Sequence, residues 1–139
     1  MSVTKDIDPP NVPVLETERL RLRGHRVGDL DASAAMWADP VVRRYTGATP
    51  STLLQSWSRM RGYVGHWVLL GFGYWVVEER VTANFIGELG FADFKRGVPE
   101  IEGIPEIGWA LTRAAHGKGY ATEGVRAAIA WGEQHLESK

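Results

Sequence analysis

From Glu18 to Arg23 polar and apolar residues alternate, with Leu20 and Leu22 on one side and Arg19, Arg21 and Arg23 on the other. Period two predicts a half-buried strand whose arginines form a solvated face. The period then changes. Asp29 can cap a helix that carries Leu30, Ala34 and Trp37 on one face. Pro40 disfavours helical geometry at Asp39, so this helix ends there. Thr49-Pro50 opens a second helix, in which Leu53, Trp57, Met60, Val64 and Trp67 recur as a buried stripe. Three strand-like segments follow, Tyr74 to Glu78, Phe85 to Phe94 and Glu106 to Leu111. Thr82-Ala83-Asn84 reads as a turn between the first two, and residues 95–105, with Gly97, Pro99, Gly103 and Pro105, as a loop before the third. Tyr120 to Leu136 is a last helix with Ala121, Val125, Ala128, Ile129, Gly132 and Leu136 on its apolar face. The order is strand, helix, helix, three strands, helix. It predicts an α+β fold with helices packed on an antiparallel meander. Residues 1–13, with Pro9, Pro10 and Pro13, read as a flexible tail before one domain over 14–139.

Length and composition narrow the function. A chain of 139 residues holds about one domain, too little for a doubly wound dinucleotide domain plus a substrate domain. At 44% hydrophobic and 24% charged residues, the composition is that of a globular protein. Sixteen Lys+Arg against seventeen Asp+Glu leave a net charge of -1, which argues against a nucleic-acid partner. The absence of cysteine excludes disulfides, thiolate metal sites and a cysteine nucleophile. His25, His66, His116 and His135 are scattered without metal-ligand spacing, so no metal site is expected. His66, inside an apolar run, reads as a satisfied core histidine. The most apolar stretch, Val64 to Val77, is shorter than the ~20 residues of a membrane span and is broken by glycines. Met1 to Pro10 lacks an apolar signal core. These features predict a soluble, cytoplasmic protein without a membrane partner.

The most informative segment joins the last strand to the last helix. After Glu106-Ile107-Gly108-Trp109-Ala110-Leu111, a short loop carries Gly117-Lys118-Gly119, and the helix begins at once with Tyr120-Ala121-Thr122-Glu123. Backbone N–H groups at a helix start, approached through glycines, form an anion site that the helix dipole strengthens. Arg113, Lys118 and Arg126 could add side-chain charge, and a diphosphate is the natural guest. The same spacing also suits a plain strand-to-helix turn that needs glycine angles. No Gly-Lys-Ser/Thr occurs, so the loop is not a Walker A loop. A Rossmann fingerprint would need a glycine where Thr122 stands.

This segment resembles the acetyl-CoA motif of the GNAT superfamily of N-acetyltransferases, and more narrowly its RimJ/RimL-type branch. Thr17-Glu18-Arg19-Leu20-Arg21-Leu22-Arg23 resembles that branch's opening strand, and Ile86-Gly87-Glu88-Leu89-Gly90-Phe91 its middle strand. The resemblance implies a GNAT-like, mainly antiparallel sheet flanked by helices. It implies acetyl-CoA as co-substrate, with the pantetheine arm along Ala110, Leu111 and Thr112 and the diphosphate on the loop formed by His116, Gly117, Lys118, Gly119, Tyr120 and Ala121. The first motif position, often Gln or Arg in the family, is Ala114 here. Direct transfer of the acetyl group to a primary amine, on a small molecule or a protein N-terminus, is the implied reaction. Glu106 matches the position of a catalytic base in several members, and Glu88 is the second candidate. A backbone N–H of the 109–111 strand is the implied oxyanion donor.

Family members continue past this helix with a strand, a helix and a hairpin, whereas this sequence ends at Lys139. The resemblance therefore implies an open edge at the 106–111 strand, with self-association or low activity as consequences. A non-catalytic or truncated acyl-CoA-binding module is the alternative function. An unrelated nucleotide binder using the glycine loop is the third.

Overall fold

A computed structural model describes residues 6–47, 51–93 and 105–136. Among the described residues five strands form one sheet: β1 (Leu15–Glu16), β2 (Leu20–Arg23), β3 (Tyr74–Glu79), β4 (Phe85–Ala92) and β5 (Glu106–Leu111). They lie in chain order, and every neighbouring pair is antiparallel. The described α-helices that flank the sheet are α1 (Leu30–Ala38), α2 (Pro40–Thr46), α3 (Leu53–Leu70) and α4 (Tyr120–His135). The α+β architecture expected from the sequence is what forms.

One face of the sheet is apolar. Leu20, Leu22, Trp75, Val77 and Leu89 are fully buried there, joined by Leu111 and by Trp67 from the end of α3. Each such side chain contributes about 1.5–3 kcal/mol of transfer free energy. Helix α4 covers this face through Tyr120, Gly124, Ala128 and Gly132; Ala128 and Gly132 belong to the stripe expected from the sequence, whereas Tyr120 and Gly124 do not. Ile129, expected inside, is 44% exposed. The reason is close approach. A Cβ on Gly124 would lie 2.5 Å from a Leu89 methyl, so this turn of the helix meets the sheet through a glycine while Ile129 turns aside.

The other face carries α1, α2 and the front of α3. Met36, Val42 and Ala110 make its small apolar cluster, with Trp37 and Phe85 packed on it. Much of the rest is polar. Arg23, expected on a solvated face, is buried and pairs with Asp29 at 2.8 Å and Glu78 at 3.0 Å. Burial opposes its charge, but these two carboxylates outweigh that and raise its pKa. Asp29 therefore does not cap α1 with its side chain; it serves Arg23 and the Arg26 N–H instead. On α1 the buried positions are Ser33 and Met36, one residue away from the expected stripe.

Other boundaries differ from expectation for local reasons. Pro40 ends α1 and also starts α2, a helix the periodicity does not show, because Asp39 accepts the Val41 N–H and caps it. Helix α3 starts at Leu53, where Thr52 and Gln55 form a capping box. Leu53 itself is 60% exposed. Strand β4 stops at Ala92; Phe94 and all of the expected loop except Pro105 lie outside the described residues. Residues 6–13, expected in a flexible tail, make specific contacts. Val12 packs on the apolar core, the Pro13 carbonyl accepts the Trp75 indole N–H, and Asp8 pairs with Arg26. His66 is satisfied as expected, donating from Nδ1 to the Phe72 carbonyl and accepting the Asp93 N–H.

Candidate active site

Strand β5 is the last strand of the sheet among the described residues. The Thr112 N–H bonds the Ile86 carbonyl of β4. Antiparallel partners alternate between bonding inward and outward. The backbone groups of Gly108 and Ala110 therefore turn to β4, and those of Ile107, Trp109 and Leu111 turn to the open edge. A cleft of about 540 Å³ lies along this edge, lined by Val42 and Thr46 of α2, by Gly108 to Leu111, and by His116, Gly117 and Ala121.

The loop at the end of the cleft is built by two left-handed glycines, Gly117 at φ 77° and Gly119 at φ 78°. No side chain caps α4, and its ladder starts with the Glu123 N–H on the Gly119 carbonyl. The N–H groups of Tyr120, Ala121 and Thr122 thus precede the ladder and point out of the helix start. Nothing lies within 4 Å of the point a Cβ on Gly117 would occupy, so the backbone there is open to a ligand.

Arg19 holds this loop in place. Its guanidinium bonds Glu123 at 2.7 Å and the Lys118 carbonyl at 2.8 Å, and lies 4.5 Å above the Tyr120 ring. Burial opposes ionisation of Glu123, but Thr17 and Arg19 outweigh it and hold the carboxyl below its usual range. The Tyr120 hydroxyl points away, to Glu79 on β3.

At the other end of the cleft, Tyr74 lies in register with Gly90 and Gly108. A Cβ on Gly108 would sit 2.3 Å from the Tyr74 hydroxyl oxygen. Glycine is what lets a buried tyrosine two strands away reach the wall of the cleft.

Comparison with known proteins identifies the family. The acetyltransferase (GNAT) domain model matches residues 19–139. The chain belongs to the GNAT acetyltransferase family. It is 33% identical over 119 residues to "Uncharacterized N-acetyltransferase p20" of Bacillus licheniformis, a match over 85% of this chain and 65% of that protein. The chain thus spans 65% of the length of that relative. An acetyltransferase structure from Agrobacterium tumefaciens is 30% identical with a TM-score of 0.76, over 89% of this chain and 68% of that one. RimL, a ribosomal L7/L12 alpha-N-protein acetyltransferase, shares the fold at 14% identity and a TM-score of 0.68, over 88% of this chain and 66% of its own.

Within this GNAT domain the cofactor candidates divide. Ala110, Leu111, His116, Gly117 and Ala121 line the cleft. Thr112 does not: its N–H is bonded to β4 and its carbonyl accepts the Ala115 N–H. Ala110 offers its wall, while alternation makes Trp109 and Leu111 the edge-facing backbone positions. The Leu111 carbonyl already accepts from His116 Nε2 at 2.9 Å. Gly119 and Tyr120 stand at the helix start, and the Lys118 carbonyl is turned to Arg19.

The two carboxylates differ as sharply. Glu106 opens β5, half-buried, two positions before Gly108 on the same strand face. Glu88 is fully buried. It accepts from His25 Nε2 at 2.9 Å, Ser33 Oγ at 2.8 Å and Trp37 Nε1 at 2.8 Å. Burial opposes its ionisation, yet these donors prevail and lower its pKa. Its carboxylate is enclosed by these donors, and Glu88 is not among the residues that line the cleft. Sequence reasoning missed Arg19 as the loop's anchor and Tyr74 at the cleft wall. The signal for Arg19 is present in the Thr17-Glu18-Arg19 motif; none exists for Tyr74, because its partner is a glycine 34 residues away in the chain. Among the described residues no group of three or more metal-ligating side chains occurs, and no helix is long and apolar enough to cross a membrane.

Proposed function

We propose that the protein is an acetyl-CoA-dependent N-acetyltransferase acting on a primary amine, of a small molecule or a protein N-terminus. One observation carries this reading: a glycine loop at an uncapped helix start opens into a cleft that runs along the outer edge of β5. Together they offer N–H groups for a diphosphate and strand groups for an extended amide chain, which fits coenzyme A. The N–H groups of Tyr120 and Ala121 and the backbone of Gly117 and Gly119 would hold the diphosphate. The Trp109 and Leu111 edge would hold the pantetheine arm, with His116 releasing the Leu111 carbonyl.

Acetyl-CoA supplies an acetyl group activated as a thioester. The chain's own residues then have three tasks. An alkylammonium is not a nucleophile near neutral pH, so a base must take its proton. Glu106 is that base, directly or through one water. The Trp109 N–H, turned to the edge, donates to the carbonyl oxygen as negative charge develops on it. Attack by the amine nitrogen forms the amide C–N bond and breaks the C–S bond, and the electron pair leaves with sulfur.

Calorimetry with acetyl-CoA, followed by a thiol-release assay over an amine panel, tests the reading. Gly119→Asp places a carboxylate in the diphosphate site and should abolish binding, and free pantetheine should bind far more weakly than acetyl-CoA. Unchanged affinity in that variant would remove the phosphate cradle.

A further inference from the structure

Two walls of the cleft are tied together by one ion pair. Arg113 sits in the 3₁₀ turn Arg113–Ala115, three residues before His116, which lines the cleft. Asp39 caps α2, three residues before Val42, which lines the opposite wall. Between them the guanidinium grips the carboxylate twice, Nη2 to Oδ1 at 2.6 Å and Nε to Oδ2 at 3.1 Å. The same Oδ1 accepts the Val41 N–H at 2.9 Å. One carboxylate thus starts the helix and fastens it to the loop.

Helix α2 needs that fastening. Its seven residues are too few to be stable alone. Among its described side chains, Val42 anchors it in the small apolar cluster with Met36 and Ala110. The pair is also partly open to solvent, with Arg113 60% and Asp39 21% exposed at the side chain. An exposed pair adds little to overall stability. A bidentate one still fixes direction, because two parallel bonds permit a single relative orientation.

We propose that Asp39 and Arg113 form a strap that holds α2 at the correct distance from the phosphate loop and so sets the affinity of the cleft for acetyl-CoA. Both are positioning residues, not ligands of the cofactor. The proposal rests on the acetyl-CoA reading above. It differs from the simpler expectation that Arg113 lends its charge to the phosphates.

The test is a double-mutant cycle read by acetyl-CoA calorimetry, with apo melting curves beside it. Asp39→Asn keeps an oxygen to cap α2 and removes the charge. Asp39→Asn and Arg113→Gln should each weaken acetyl-CoA about two- to fivefold, a range set by the modest worth of exposed ion pairs. The double variant should be no weaker than the worse single one, because the two changes remove one interaction. Arg113→Lys should recover part of the affinity, and the apo melting temperatures should barely move. If Arg113→Gln weakens binding while Asp39→Asn leaves it unchanged or tightens it, Arg113 meets the phosphates itself and the strap is overturned. Affinity losses matched by equal falls in apo melting would make the pair merely structural, which also overturns it. No binding of acetyl-CoA by the unaltered chain would remove the function reading and the strap together. Binding by the unaltered chain and by every variant alike would remove the strap alone.

Discussion

The two sides of the β4–β5 pair use the same residue types to opposite ends. Beneath α1, Glu88 meets His25, Ser33 and Trp37, and Arg23 meets Asp29 and Glu78. Every one of these groups is answered by a side chain, and the cluster is closed to solvent. Along the outer edge of β5 the backbone of Trp109 and the start of α4 have no such closure, and a cleft stands in its place. Polar groups that fix a fold are consumed by their partners. Polar groups that do chemistry must be positioned by others and left available. Arg19 and the Asp39–Arg113 pair belong to a third kind, since they stand at the boundary and hold the open side in shape.

Removing charge on each side should break this contrast in different observables. Glu106→Gln should leave acetyl-CoA binding near normal and lower turnover by roughly 10²–10⁴, the range for general-base catalysis. That loss should shrink as pH rises and the amine deprotonates unaided; a loss equal at every pH would mean Glu106 is structural. Glu88→Ala should do the reverse. Removing a buried anion from its donors costs about 3–5 kcal/mol of stability, measurable by urea denaturation. An unchanged midpoint would mean that the closed side is not closed.

A smaller effect is expected at the boundary. Arg19→Met keeps apolar cover over Tyr120 but frees Lys118 and Glu123, so acetyl-CoA should bind about tenfold more weakly through a loosened loop. Equal affinity in calorimetry would show that the glycines alone shape the loop. The mildest perturbation is acid. The native pKa values of Glu88 and Asp29 lie below the ordinary 4.5 and 3.8. Their contribution to stability is therefore complete above those ordinary values and is lost as pH falls through the native ones. Melting temperatures between pH 7 and pH 3 should fall chiefly below about pH 4.5, and less in a Glu88→Gln background.

Much of this is legible in the chain. Strand β5 has the bounds expected for it, and the glycine loop stands at the helix start where its place in the sequence puts it. Local rules suffice there, because a strand period of two and a glycine at positive φ depend on few neighbours. Helix α2 escapes such rules because Pro40 looks like a terminator, although proline is equally at home in a first helical turn. Part of the buried face of α4 escapes them, since Ala128 and Gly132 are buried as expected but hydrophobicity favours Ile129, whereas contact with Leu89 favours the small Gly124.

The sequence by itself determined the order of β2, α1, α3, β3, β4, β5 and α4, the antiparallel meander, the family and the glycine loop at the helix start. Those are consequences of periodicity and of residues adjacent in the chain. Only the tertiary structure decided which charged groups are buried among side-chain partners and which stand nearer the surface. Glu88 and Glu106 are both strand glutamates, and nothing local separates them. Their difference arises when α1 brings Ser33 and Trp37 over one and leaves the other at the head of β5. Likewise Arg19, Arg21 and Arg23 share one alternating pattern, yet Arg19 anchors the loop, Arg21 bridges Glu16 and Glu78, and Arg23 is buried against Asp29. A charge takes its role from the partners that distant segments bring within about 3 Å of it, and that proximity is a property of the packed fold.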